Sequence, residues 1–159
     1  MATLQTTYGG TPPKGLKGQI ANEESCNKIS RSVENAAGIK FGQPVQRGAG
    51  DHGVVPFAAG GKFMGFAVLN PAVPPVSPGA TLVDGYPQFF TGAFMTRGQM
   101  YHVAGGTVAD GDPVYYDTVN DRVVAAAGTG IVGPFPETFF DTSGAAGAVV
   151  EFSTKNRSA

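Results

Sequence analysis

Tryptophan is absent from the 159-residue chain, cysteine occurs once and histidine twice. The lone Cys26 excludes an internal disulfide, and with it the small secreted scaffolds that depend on such bridges. One cysteine and two scattered histidines, His52 in GAGDHGVV and His102 after Tyr101, cannot supply the spacing of a structural zinc site. Charge is scarce as well: 14% of residues are charged, against ~25% in ordinary soluble domains. The net charge is -1 and the basic residues are dispersed, so no nucleic-acid partner is expected. No apolar run approaches membrane-spanning length, and MATLQTTYGG has neither the basic start nor the apolar stretch of a secretory leader. The expectation is a protein made in a reducing cytoplasm with no membrane partner. The sequon Asn156-Arg157-Ser158 is then chance. A neutral, small-residued surface also suits a chain that spends its life against a partner.

Glycine and proline are plentiful, at 24 and 12 residues. Both penalise helix interiors, so short strands and many turns are expected. Residues 1–22, MATLQTTYGGTPPKGLKGQIAN, show no sustained periodicity and read as an extended arm, either a solvated leader or a segment that docks on a neighbour. Leu4, Tyr8, Pro12, Pro13, Leu16 and Ile20 are its candidate contact residues. Residues 23–37, EESCNKISRSVENAA, fit one or two helical turns with Asn22 as N-cap and Ile29 and Val33 four apart. The remainder, 23–159, is expected to be a single domain.

That domain contains an internal repeat. Gly42-Gln43-Pro44-Val45 matches Gly111-Asp112-Pro113-Val114 at an offset of 69 (42 to 111). In the same register Ile39 falls on Val108, Val54-Val55 on Val123-Val124, Ala58 on Ala127, Gly61 on Gly130 and Phe66 on Phe135. Two copies are too few for a solenoid. The repeat therefore predicts two small antiparallel units, about 38–69 and 107–138, packed across a common core. Val45, Val54, Phe66, Val114, Val123 and Phe135 should be buried in it.

The repeat also decides how to read DGDPVYYDTVNDRVV, Asp110 to Val124. Its aspartates invite a metal site, but Asp112 corresponds to Gln43 and Asp117 to Gly48, so the unit does not require them. The spacing lacks the alternate acids and closing Glu of a calcium loop. Asp-Gly-Asp-Pro is a turn, Val114-Tyr115-Tyr116 a strand, and Asp117 to Asp121 a second turn with solvated aspartates. A β-hairpin without metal is expected. Other chemistry is equally thin. FFDTSG lacks the glycine of an aspartic-protease turn and occurs once where two carboxylates are needed. VAGGTVADG opens no helix and has no phosphate-loop lysine. No catalytic residue and no cofactor is expected.

The stretch Pro87 to Gly105 alternates for most of its length, with Phe89, Thr91, Ala93, Met95 and Arg97 on one face. Gly98 inside it marks a bulge or a close backbone approach. Ahead of it, Pro71, Pro74, Pro75 and Pro78 stiffen a connection over 70–87.

In order along the chain stand GLKGQIAN, NAAGIKFGQPVQRG, GAFMTRGQMYHV and VADGDPVYYD. This series resembles the capsid cement (decoration) proteins of bacteriophages, in which a GxxGQIA start, an I-x-FGxxV-x-RG segment, and an MTRG strand followed by GDxVY recur. The resemblance spans Gly15 to Asp117; the proline-rich connection and the region after Phe135 match nothing in it. It implies an all-β body, a jelly-roll or tulip-like antiparallel fold, on the outer surface of a virus head. The major capsid protein and neighbouring copies, as a dimer or trimer, are the implied partners. A carbohydrate-binding β module of a phage adhesion protein is the alternative, although the absence of Trp disfavours a stacking platform.

Overall fold

The longest element, β1 (Ile20–Val33), overturns the helical expectation. It pairs antiparallel with β7 (Thr91–Val103), from Ile20↔Met100 through Asn22↔Gln99 to Ser32↔Thr91. Asn22 is thus a strand residue and not a cap. The error has a simple cause: residues four apart share a face in a strand as well as in a helix, so Ile29 and Val33 could not discriminate. Residues 14–73 and 84–155 are described in this structure, which is a computed structural model. Leu4, Tyr8, Pro12 and Pro13 lie outside the described residues.

The arm boundary moves accordingly. Ile20 to Asn22 belong to β1, and the turn before them is tied to the body by Gly18 N donating to Tyr101 O (2.9 Å) and Leu69 N to Gly18 O (2.7 Å). Gly18 has φ +80° and sits 2.8 Å, at its would-be Cβ, from the Gly42 backbone, so no other residue fits there.

Five strands close a ring. β1 pairs with β4 (Gly53–Pro56), β4 with β3 (Pro44–Arg47), β3 with β5 (Phe63–Ala67), β5 with β7, and β7 with β1 again. The β1–β4 contact, Ser32↔Gly53 and Val33↔Val54, is parallel, so the body is not wholly antiparallel as expected. Each strand sends apolar side chains to one buried cluster: Val33, Val54, Val45, Met64 and Ala67, and Phe94. The short ribbon of β2 (Ile39–Lys40) and β6 (Gly85–Tyr86) adds Ile39 and Tyr86, whose hydroxyl donates to Val68 O at 2.7 Å.

β7 is long enough to serve a second core. Along the edge it offers to β5, it continues into β12 (Val149–Thr154), which in turn pairs with β11 (Thr138–Phe140). Successive residues point to opposite faces of a strand, so Phe94 enters the first cluster while Met95 enters the second. A three-stranded sheet, β8 (Tyr115–Asp117) between β9 (Arg122–Val124) and β10 (Ile131–Val132), covers that second cluster. Gly98, with φ +143°, sits where the β1–β7 register shifts, and a Cβ there would meet Met95 Sδ at 2.9 Å. The bulge expected from the sequence is present, and β7 runs through it unbroken.

The repeat is structural. Gln46↔Val55 and Arg47↔Val54 in β3–β4 recur 69 residues on as Tyr115↔Val124 and Tyr116↔Val123 in β8–β9. In each unit the first strand lies between the other two. All six expected core residues are buried, the least so being Phe135 at 3%. They do not share one core, however. Val45 and Val54 sit in the ring, whereas Phe66 joins Val114, Val123 and Phe135 in the second cluster. The repeat-related rings of Phe66 and Phe135 meet edge-on, with centroids 5.2 Å apart.

Candidate functional site

Of the arm residues proposed as contacts, the described ones part company. Ile20 is half-buried against the second cluster, while Leu16 is 67% exposed. Leu16 sits in a turn closed by Gln19 N to Leu16 O (3.0 Å) and by Leu16 N to Gln19 Oε1 (2.9 Å). With Lys17, Phe41, Leu69 and Asp84 it lines an open notch of about 230 Å³. The first described turn therefore borders an apolar depression.

The acidic stretch is the hairpin of β8 and β9. Asp117 is the turn residue: its carboxylate accepts from Val119 N (2.9 Å), Asn120 N (3.0 Å) and Asn120 Nδ2 (2.7 Å). Those donors, the Asn120 side chain foremost, hold its carboxyl below the usual range. Asp112 accepts from Ala109 N at 2.9 Å and closes the preceding turn. Asp121 departs from expectation. Its side chain is 15% exposed, it accepts from Lys17 Nζ and from the Tyr116 hydroxyl (2.6 Å), and Lys40 Nζ stands 3.9 Å away. The segment before β1 is thus clamped to the second unit, across 104 positions of sequence. Among the described residues no three or more His, Cys, Asp or Glu side chains are grouped to hold a metal ion.

Asp121→Asn tests that clamp. Asn tolerates the φ of +55° at this position but carries no charge for the two lysines. The variant should lose about 2 kcal/mol of stability by urea unfolding. Lys17→Ala should add little more in the double variant, since both changes remove the same interaction.

The other polar residues singled out in the sequence are tied into the fold. His102 is fully buried; Val103 N donates to its Nδ1 at 2.9 Å, which leaves the proton on Nε2. That Nε2 faces the Gly42 backbone without completing a hydrogen bond. Burial, the largest influence, lowers its pKa to about 4. The Cys26 thiol is pushed up by burial, the opposite of nucleophile activation. In FFDTSG, Asp141 Oδ1 accepts from Ser153 Oγ (3.1 Å) and Ser143 Oγ from Asp110 N (3.2 Å), so the segment is a strand-connecting turn. His52 lies in the 48–53 loop, which is gathered by the Glu34 carboxylate through Ala49 N and Gly50 N, each at 2.8 Å.

One surface feature escaped the sequence reading. Phe89, placed there on a strand face with Thr91 and Met95, lies outside β7 with its ring 80% exposed. Its φ is +66°. Strict alternation does not reveal where a strand begins, and a doubled Phe gives no sign of which ring turns outward.

The family model described as structural cement protein (E217 gp24/Pam3 gp6) matches residues 4–155. Among solved structures, a chain of the capsid of Myoviridae phage XM1 superposes with a TM-score of 0.66 at 15% identity, covering 97% of this chain and 99% of that one. The N base of the head fibre gp8.5 of bacteriophage phi29 aligns at 10% identity with a TM-score of 0.43, over 84% of this chain and 98% of that one. No curated protein matches the sequence. The XM1 likeness establishes a shared all-β fold, and with the family match over nearly the whole sequence it gives one conclusion: this chain belongs to the structural cement protein family of bacteriophages.

Proposed function

We propose that this protein binds the outer surface of a phage head and braces contacts between major capsid protein subunits, without catalysis. The observation that supports this reading is the extent of the family match, residues 4–155, which takes in the N-terminal segment together with the body. A cement protein resists internal pressure without covalent bonds, so it needs several weak contacts engaged at once. A specific interface buries ~1,600 Å² in total, and a short tether to a second contact raises avidity by roughly 10² to 10⁴. Residues 1–13 are the tether, with a reach of about 40 Å at full extension. Leu4, Tyr8, Pro12 and Pro13 supply its contacts on a neighbouring shell subunit or on a second copy in a dimer or trimer.

Removing residues 1–13 tests this directly, because the turn and strand from Lys14 onward stay intact. The truncated protein should fold with an unchanged melting temperature and occupy purified heads at least tenfold less tightly. Full occupancy, with undiminished heat resistance of the heads, would reduce the arm to a leader.

A further inference from the structure

The buried ring of His102, in β7, lies where the turn before β1, the turn between β2 and β3, and the β8–β9 hairpin meet. A Cβ on Gly42 would stand 2.7 Å from His102 Nε2 and 3.2 Å from Lys17 Cγ, so the Lys17 stem closes over the same point as the ring. Gly18 rests on Gly42 in turn. On its other side the ring meets Tyr116 edge-on, with centroids 6.0 Å apart, and the Tyr116 hydroxyl donates to Asp121, the partner of Lys17. Gly18 and Lys17 are therefore both held over this ring, one through Gly42 and the other through Asp121 and Tyr116. The walls of the site differ in strength. Lys14, Leu16 and Gln19 of the first turn face solvent, whereas Val150 of β12 and Tyr116 of β8 are buried. Exposed segments with few buried apolar contacts open locally before a core does.

We propose that His102 is an acid-sensitive latch on the N-terminal turn: a proton on its ring releases residues 14–19, and with them the root of the N-terminal segment, while both cores stay folded. The proton is taken up at Nδ1, which accepts from Val103 N, so the charged ring loses that bond. The charged groups that act on the ring are Asp121 and Lys17; Lys40 stands 3.9 Å from Asp121, and Val150, opposite in β12, carries no charge. The imidazolium repels Lys17 and competes with it for the Asp121 carboxylate. Swinging the Lys17 turn outward ends the repulsion, frees Asp121 for the ring and admits water. Moving β8 or β12 instead would open the second core. With the turn open the ring titrates near its ordinary 6.5, against about 4 when closed, so opening gains as pH falls from 6.5 and gains no more below about 4. The full gain is about 300-fold. Glu151, opposite Tyr101 in β12, also titrates in acid and acts on Lys14, which makes it the rival source of pH dependence.

Amide hydrogen exchange of the full chain, expressed as protection at each pH, reads the latch. Gly18 N is bonded to Tyr101 O and Leu69 N to Gly18 O, and protection of both should fall about 300-fold between pH 7 and 4 with little response to dilute urea. The amides of Val33 and Phe140, bonded to Phe90 O and Asp112 O, report the two cores; they should stay better protected at every pH and respond to urea. His102→Gln should hold Gly18 and Leu69 at one level across the range, whereas Glu151→Gln, and His52→Gln in the exposed 48–53 loop, should keep the fall. Should His102→Gln fail to fold, the wild-type profile and Glu151→Gln decide. Protection at Gly18 and Leu69 that does not change with pH would overturn the latch. A fall that survives in His102→Gln, or that Glu151→Gln abolishes, would overturn it too. Gly18, Val33 and Phe140 losing protection together, with one urea dependence, would mean global unfolding alone and equally contradict it.

Discussion

Gly65→Ala should cost about 3 kcal/mol or more, a large part of the 5–15 kcal/mol that holds a typical domain. A Cβ at this buried position would lie 2.1 Å from Met95 O and 2.9 Å from Met95 C. Both atoms are backbone and neither can swing aside. β5 and β7 meet there through only two registered pairs, Phe66↔Met95 and Ala67↔Phe94. Forcing them apart opens the five-strand ring at a two-pair seam and pulls Phe66 away from Phe135. Gly60→Ala is the control. Its φ is +84° with nothing within 4 Å, so only the left-handed backbone resists the methyl, at about 1–2 kcal/mol. Urea midpoints of the two variants separate the effects. A Gly65→Ala midpoint within 0.5 kcal/mol of wild type would mean that the β5–β7 approach is looser than described.

Stability should also fall with acid in a window set by His102. Its folded pKa is about 4, against an ordinary value of 6.5, so the native protein favours the neutral ring. The unfolded chain takes up the proton first as pH falls below 6.5. The contribution is complete above that value, declines between 6.5 and about 4, and is constant below. The loss is on the order of 3 kcal/mol, because burial penalises the charged ring and protonating Nδ1 would remove the acceptor for Val103 N. Asp121 favours the charged ring and Lys17 opposes it, both less strongly than burial. Glu151 acts in the opposite sense: burial and then Asp141 raise its pKa, so its protonation over similar pH favours the fold. His102→Gln should flatten the decline between pH 6.5 and 4 in urea midpoints. An equally steep decline in that variant would assign the acid sensitivity to other groups.

How much of this was legible in the sequence depends on the kind of information each feature needs. The repeat could be read because Val45, Val54, Val114 and Val123 record the same inward-facing positions twice, and the register of the paired strands repeats with them. The division into two cores could not. Periodicity tells which side chains point inward but not into which interior, and β7 feeds both from successive residues. The first long strand was read as a helix because its apolar residues sit at the one spacing that both periods share. The hairpin of Asp110 to Val124 followed from turn chemistry. Asp121 was nonetheless misread as solvated, because its partners Lys17 and Lys40 come from the far end of the chain. Phe89 was hidden for a related reason: an outward ring on a positive-φ turn is a property of the closed fold, and no local pattern announces it.

A density map of the intact particle, resolved well enough to trace this chain, is the most direct test of the proposed role. The expected result is copies on the outer face of the shell, each touching more than one major capsid protein subunit. Residues 1–13 should lie along a neighbour. Copies confined to the tail or to the head interior, or seated on single subunits with no neighbour in reach, would contradict it.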